Sequence, residues 1–372
     1  MSTTTGRVIA VNCVSGQLKG MLSFSFGSGT SGTITVTTTA PGGYASSTPF
    51  PFYRNTTSCP MGFVPVSGLT TAENGLGNAQ STFGNMRAWL DTGQDFCVMK
   101  FQAKQSTTTT GAINLSGYSA LPWTNISRTD AMNKCVGLCP SGAGCTLQSN
   151  TIPGSTEMIY SNEVRGYRLI SNMQWQIVAR RILSNNTNWV GGTMSSTGQL
   201  YQGHTDAGPA LPIANSSSDS IEPAVTSTDA YFGTGNSSGS QRRFHYLDGT
   251  NYIYDFSGNV WQWVSDDLSG ANSTGLGVGL STSFNSGWSP FSFFTTGNIS
   301  QIFGSGGTYS SSNLIGEFHA PTTIPANPGI VRGGFHGDVN SSLVNFGIFA
   351  TDVGRDSTAA YPNVGFRCVF VP

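Results

Sequence analysis

Charge is scarce in this chain. Of 372 residues, lysine and arginine number 17 and aspartate and glutamate 18, so charged side chains make up 9%, where a soluble chain averages about 25%. The formal net charge is −1. A nucleic-acid binder needs clustered Lys and Arg to displace counterions, and a polybasic membrane-surface protein needs the same cluster; both classes are excluded. No apolar run reaches the ~18 residues that a membrane helix requires, so direct membrane insertion is not expected. The first residues, MSTTTGRVIAVNCV, lack a basic n-region and a long apolar h-region, so no signal peptide is visible. There is no GxSxG, P-loop, HExxH or dinucleotide fingerprint. No unit of about 20–50 residues repeats, which excludes a solenoid.

What is present is not the composition of disorder. Hydrophobic residues reach 37% and aromatics 11%, with seven Trp and 22 Phe, whereas disordered chains lack aromatics and carry net charge. With 48 Gly, the composition points to a loop-rich, mainly β protein with a neutral polar surface. The length allows one large domain or two ordinary ones. The seven cysteines are Cys13, Cys59, Cys97, Cys135, Cys139, Cys145 and Cys368. Three of them, Cys135, Cys139 and Cys145, lie close together in a Gly-rich stretch. Their spacing would allow zinc, but none of the four histidines is near, and a disulfide in this loop is favoured; it fits an exported protein.

Residues 1–58 read as a small β-rich module. VIAVNCV, MLSFSF and GTITVTTT (Gly32–Thr39) have strand character, separated by turn-rich GSGTSG and APGG. A second domain, 59–372, starts at Cys59-Pro60-Met61-Gly62-Phe63. Phe96–Phe101 reads as a strand. Ser127 caps a helix through SRTDAMNKC, with Asp130 near capping-box spacing. Ser171 caps another, SNMQWQIVARRIL, which places Trp175, Val178, Ala179 and Ile182 on one face and Arg180 and Arg181 in its last turns. Gly191–Ser240, rich in Ser, Thr, Asn and Gly, reads as long surface loops.

Three further stretches carry most information: Gly258-Asn259-Val260-Trp261-Gln262-Trp263, Val331-Arg332-Gly333-Gly334, and Val364-Gly365-Phe366-Arg367. Together with PWTNIS (Pro122–Ser127) and YRLISNMQWQIVAR (Tyr167–Arg180), in this order, they resemble the formylglycine-generating (sulfatase-modifying) branch of the C-type lectin fold. The resemblance runs from about Cys59 to Pro372. It implies an α+β, C-type lectin fold with two helices and short antiparallel strands behind the β-rich module. Enzymes of that branch carry a cysteine pair shortly after RGG that binds copper and performs the oxidation. Here no cysteine follows Gly334 until Cys368, so a thiol-based oxidase has no thiolate to present.

The same stretch looks more like the variable region of diversity-generating retroelement target proteins. Those keep the lectin scaffold and end in RGG, G-(V/I)-F-A and (I/V)-G-F-R; here these are Arg332-Gly333-Gly334, Gly347-Ile348-Phe349-Ala350 and Val364-Gly365-Phe366-Arg367. The resemblance implies a variable region of about 332–368 that displays a hypervariable surface to a ligand. The diversified positions it implies are Phe335, Gly337 and Asp338 counted forward from Gly334. Counted back from Gly365 they are Tyr361, Ala359, Arg355, Gly354 and Asp352, and Asn340 and Phe346 lie among the extra residues between. His336 sits where the family often has an aromatic scaffold residue. The expectation is a binding protein, not an enzyme, for a protein or cell-surface ligand, located on a cell surface, outside the cell or on a phage virion. The alternatives are a formylglycine-generating oxidase relative and a phage receptor-binding tail protein.

Simpler roles compete with functional ones. Trp261 and Trp263 are expected to be core. Arg332 and Arg367 are expected to hydrogen-bond buried backbone carbonyls or carboxylates such as Asp255 or Asp266. Asp255, Asn259, Asp266 and Asp267 offer oxygen ligands, and the sulfatase-modifying branch binds calcium near this motif, but Gln262 stands where the family has Glu; no cofactor is expected, with calcium the one possibility. His204 and His245 are expected to be polar-network histidines, and Asp206 to fix the loop beside His204. Exposed positions between 335 and 361 are expected to tolerate substitution within about 0.5 kcal/mol.

Overall fold

The computed structural model describes the backbone of 6–14, 17–24, 31–39 and 45–53. It describes in full 59–68, 95–106, 111–113, 121–139, 166–203, 242–249, 251–266, 287–291, 299, 303–305, 309, 312–323, 325–335 and 345–371, and the backbone alone of 267 and 311. The chain divides into two compact units, 1–58 and 59–371. The fold is mixed α+β with few helices and several sheets.

In the first unit, β1 (Gly6–Val14) pairs antiparallel with β2 (Gln17–Phe24), and β3 (Ser31–Thr39) pairs antiparallel with β4 (Ala45–Tyr53). β3 is the Thr-rich alternating segment; β-branched residues at this density favour the extended backbone.

The second unit holds two larger sheets. One has four strands in the order β5 (Phe63–Val66), β6 (Phe96–Met99), β16 (Cys368–Val371), β7 (Gly166–Leu169). The other has six, in the order β11 (Gly287–Ser289), β12 (Phe318–Ala320), β14 (Thr351–Asp356), β13 (Pro328–Arg332), β10 (Trp261–Asp267), β15 (Val364–Phe366). A hairpin, β8 (Phe244–Asp248) with β9 (Asn251–Tyr254), completes the strands among the described residues.

Two α-helices are described in full. α1 (Arg128–Val136) starts at Ser127, whose hydroxyl accepts from the Asp130 amide. α2 (Asn172–Leu183) starts at Ser171 with a complete capping box: the Ser171 hydroxyl accepts from the Gln174 amide and Gln174 Oε1 accepts from the Ser171 amide. Both caps satisfy amides that have no partner within the first helical turn. α2 is buried on nearly every side, not on one stripe; among its residues only Arg181 is not buried.

The six-stranded sheet has two apolar faces, as the two-residue period of strands dictates. Val264, Phe318, Ala320, Ile330 and Val353 pack in one cluster with α2 residues Trp175, Val178 and Ile182. Trp261, Trp263, Val331, Val364 and Phe366 pack in the other with α1 residues Ala131, Met132 and Cys135. Trp261 and Trp263 are both 0% exposed, which is the core role expected of them.

The RGG turn follows from sterics. Gly333 and Gly334 have φ of 93° and 83°, in the left-handed region. A Cβ at Gly333 would stand 2.9 Å from the Phe256 carbonyl oxygen, and one at Gly334 would stand 2.5 Å from the Phe346 Cα. Side chains are excluded from both positions, so the chain leaves β13 sharply and tucks Phe346 inward.

Two disulfides have both ends among the described residues. Cys59 bonds Cys97 across 38 residues, and Cys135 bonds Cys368 across 233. Cys135 therefore reaches out of its own loop and fixes α1 to the last strand; Cys139 is disulfide-bonded as well, and Cys145, the third cysteine of the expected loop disulfide, lies outside the described residues. Among the described residues no group of His, Cys, Asp or Glu could hold a metal ion, and no helix is long and apolar enough to cross a membrane.

Candidate binding surface

The two arginines that bracket the 332–367 segment are fully buried. Arg367 donates from Nε to Gln262 Oε1 at 3.0 Å, from Nη1 to the Met99 carbonyl at 2.5 Å, and from Nη2 to the carbonyls of Tyr254 at 2.6 Å and Asp255 at 3.3 Å. Arg332 donates to Asn172 Oδ1 and, at 2.9 Å, to the Phe303 carbonyl. Burial lowers each pKa to about 9, against the opposing charge of Asp266 at Arg332 and Asp255 at Arg367, so both remain charged at neutral pH. These are the backbone-directed scaffold contacts expected of them.

The Asp255 carboxylate is not an arginine partner for either. It takes both prongs of Arg243, at 2.7 and 2.5 Å, with neither side chain more than 2% exposed. Asn259 donates to Gln102 Oε1, and Asp266 Oδ2 accepts from the Asn172 amide at the start of α2. Of the four candidate calcium ligands, Asp255, Asn259 and Asp266 each bond a different protein group, and the side chain of Asp267 lies outside the described residues. Gln262, in the position of the family Glu, bridges the Asp255 carbonyl and Arg367. Copper does not fit. Between Gly334 and Cys368 there is no thiol, and Cys368 is bonded to Cys135.

Several positions singled out from the sequence lie outside the described residues: His204, Asp206, His336, Gly337, Asp338 and Asn340. His245 is fully buried, with Nε2 donating to the Tyr201 carbonyl at 2.7 Å. Burial first, then the charge of Arg242, pull its pKa down to about 3, against the raising effect of the Tyr201 bond. It is a neutral core histidine.

The remaining positions separate into buried and surface groups. Phe346, expected at the surface, is buried, pressed against Gly334. Asp352, also expected to be exposed and replaceable, is 4% exposed. Its Oδ1 accepts from His319 Nδ1 at 2.9 Å and from the Gly354 amide at 2.8 Å, and its Oδ2 accepts from Arg355 Nε at 2.9 Å. Burial alone would raise this carboxyl, but the His319 bond and charge, the Arg355 charge and the Gly354 amide together hold it below its ordinary value. Phe335, Gly354, Arg355, Ala359 and Tyr361 are half-buried.

Tyr361 is more than a loop tip. Its ring centroid lies 6.0 Å from that of Trp263, its hydroxyl accepts from the Asp356 amide, and the Arg355 guanidinium sits 5.1 Å over the ring. Its replacement therefore costs more than the ~0.5 kcal/mol of a free surface position.

Sheet register explains why these residues meet. Trp288 pairs with His319, His319 with Asp352, Asp352 with Val331, Val331 with Trp263, and Trp263 with Phe366. Cross-strand partners share a face, so one row runs across all six strands. At Trp263 and Phe366 the row is buried. Toward β11 it opens: Trp288 and His319 are half-buried, with the ring centroids 5.0 Å apart. Trp288 and His319 were not singled out from the sequence, and nothing local marks them; only the pairing of β11, β12 and β14 does. Phe335 and Trp288 pack partly buried against the same cluster as Trp263. The open end of the row thus joins two residues from outside the 332–368 segment with Asp352, Arg355 and Tyr361 from within it.

Comparison with known families gives one match. The profile of the FGE-sulfatase family, the sulfatase-modifying factor enzyme 1-like domain, matches residues 35–371. No curated protein matches the chain.

Proposed function

The chain belongs to the sulfatase-modifying factor enzyme 1-like domain family, and on that premise we propose that it is a ligand-binding protein built on a C-type lectin-type scaffold and not an oxidase. The observation that carries this is the division of labour between 332 and 368. Arg332, Gly333, Gly334, Phe366 and Arg367 are locked into the core, while Arg355 and Tyr361 beside the sheet row, and Phe335 after the RGG turn, are only half-buried. A rigid frame with adaptable residues at its edge suits recognition. Arg, Tyr and Trp, the types present at that edge, are also the types enriched in interface hot spots. The absence of any cysteine between Gly334 and Cys368, with Cys368 held in a disulfide, supports the same reading against thiol oxidation.

The resemblance of the RGG, GIFA and VGFR anchors to retroelement targets supports diversification of this surface. The disulfides of Cys59, Cys97, Cys135 and Cys368 support an oxidising location such as a cell surface, the extracellular space or a virion. The partner is a macromolecule on a cell surface.

The test uses the full chain to capture partners from cell-surface and phage-host extracts, in parallel with Arg355→Ala, Phe335→Ala and Tyr361→Ala. Loss of one discrete captured species in these variants is expected. Conversion of a cysteine-containing sulfatase peptide to an aldehyde by the protein, with or without copper, would overturn the proposal. Flanking DNA with a reverse transcriptase and a near-copy of the 332–368 coding sequence is expected for the diversified form.

A further inference from the structure

Resting on that binding reading, we infer that Arg355 and His319, aimed by Asp352, form a subsite for an acidic sugar, a ring that carries a carboxylate beside hydroxyl groups. Three observations specify the ligand.

The first is the arginine. Arg355 spends Nε on Asp352 and lays its planar group over Tyr361, while Nη1 and Nη2 have no hydrogen-bond partner among the described residues. The side chain is 28% exposed. A guanidinium anchored at one edge and stacked on a ring presents its other donors in fixed geometry, and that fork matches a carboxylate. The charge of the chain is sparse, 35 charged residues in 372, so an oriented free fork stands out.

The second is the histidine. His319 Nδ1 faces the Asp352 carboxylate and donates to it, so in the neutral tautomer Nε2 is the acceptor. No described residue donates to Nε2, and the side chain is 27% exposed. This acceptor calls for a hydroxyl. A simple carboxylate, such as an acidic peptide side chain, offers it only another acceptor. A sugar acid supplies the carboxylate for Arg355 and a neighbouring hydroxyl for His319 on one ring.

The third is the setting. Both side chains are held by opposite oxygens of one buried carboxylate, so they stand at a separation fixed by Asp352, and half-buried Trp288 and Tyr361 flank them. Aromatic rings beside a polar fork give the apolar C–H face of a sugar ring something to lie against. Asp352 touches no ligand in this arrangement; it is a positioning residue.

The test is a side-chain NMR titration of the intact protein, following the Trp288 indole and Arg355 Nε–H signals. Sodium glucuronate is the probe. Glucose, which lacks the carboxylate, and sodium acetate and N-acetylglutamate, which lack ring hydroxyls, are the comparison arms. Saturable shifts with glucuronate, and dissociation constants at least about tenfold weaker for the other three, are expected. Arg355→Lys, at a partly exposed position that leaves folding intact, is expected to weaken glucuronate about tenfold or more, because a point charge does not replace a fork. Asp352→Asn is expected to weaken it while also shifting the Arg355 Nε–H signal of the free protein, which a purely structural role elsewhere would not do. Equal binding of acetate or N-acetylglutamate would overturn the sugar assignment in favour of a peptide carboxylate. No saturable shift with any probe would overturn the subsite. Loss of partner capture in Arg355→Ala, with no glucuronate binding, would sink this inference and leave the binding surface standing; glucuronate binding with capture unaffected would do the reverse.

Discussion

Arg367 and Arg355 come from the same stretch of chain and do opposite work. Arg367 points inward, donates to Gln262 and to the carbonyls of Met99, Tyr254 and Asp255, and is wholly buried. Arg355 lies near the surface with one edge tied to Asp352 and the other open. A buried cation whose partners are mostly backbone carbonyls joins segments that are distant in sequence, so it fixes the frame. A partly exposed cation with unspent donors contributes little to folding and is available to a ligand. The same residue type serves scaffold and surface because the sheet row that carries them is covered at one end and open at the other.

The comparison can be broken most forcefully from the buried end. Arg367→Ala would remove the donor to four acceptors, one of which, the Asp255 carbonyl, keeps Gln102 and Gln262; it is expected to cost about 3–5 kcal/mol in urea unfolding, the range for removing one partner of a buried charged network. Trp263→Ala should cost a similar ~3–5 kcal/mol as a buried aromatic deletion. Next in size, replacing Cys135 and Cys368 together by Ser should lower stability by about 4 kcal/mol, since their bond closes a loop of 233 residues in the unfolded chain; a change in unfolding midpoint no larger than that of a surface substitution would contradict the tie.

Acid titration sharpens the comparison further. His245 has its pKa lowered to about 3, while the unfolded chain binds the proton near pH 6.5. The unfolded state therefore gains protons first, and stability falls as pH drops from about 6.5 toward 3. The expected loss between pH 7.5 and 4.5 is about 2–3 kcal/mol, measured by urea unfolding, and His245→Gln should flatten that slope. Asp352, whose carboxyl is also lowered, acts at more acidic pH, where its contribution is lost as it protonates. The smallest effect is expected for Arg355→Ala. Its ion pair is partly exposed, so the stability change should stay within about 1 kcal/mol.

The sequence made the local devices legible. Ser127 and Ser171 were readable as caps because capping is decided within one turn, and the Trp261–Trp263 alternation was readable because a strand repeats every second residue. Arg332 and Arg367 could be assigned to scaffold contacts, though not to particular carbonyls, since those come from segments remote in sequence. The pairing of Cys135 with Cys368 was invisible for the same reason: only the placement of α1 against the last strand brings them together. The candidate surface was half legible. Arg355 and Tyr361 were named from their spacing to the terminal anchor. Phe346 and Asp352 were named too, but burial depends on what the RGG turn and β12 place above them. Trp288 and His319 had no sequence signal at all, because register across β11, β12 and β14 alone aligns them with Asp352.

The most direct measurement of the central claim pairs urea unfolding with partner capture for Arg355→Ala beside Arg367→Lys. The account expects Arg355→Ala to unfold near the wild-type midpoint yet lose the captured partner. It expects Arg367→Lys, which keeps the charge but cannot reach the same carbonyls, to unfold far earlier. An Arg355→Ala protein that unfolds as early as Arg367→Lys, or that captures the partner undiminished, would contradict it.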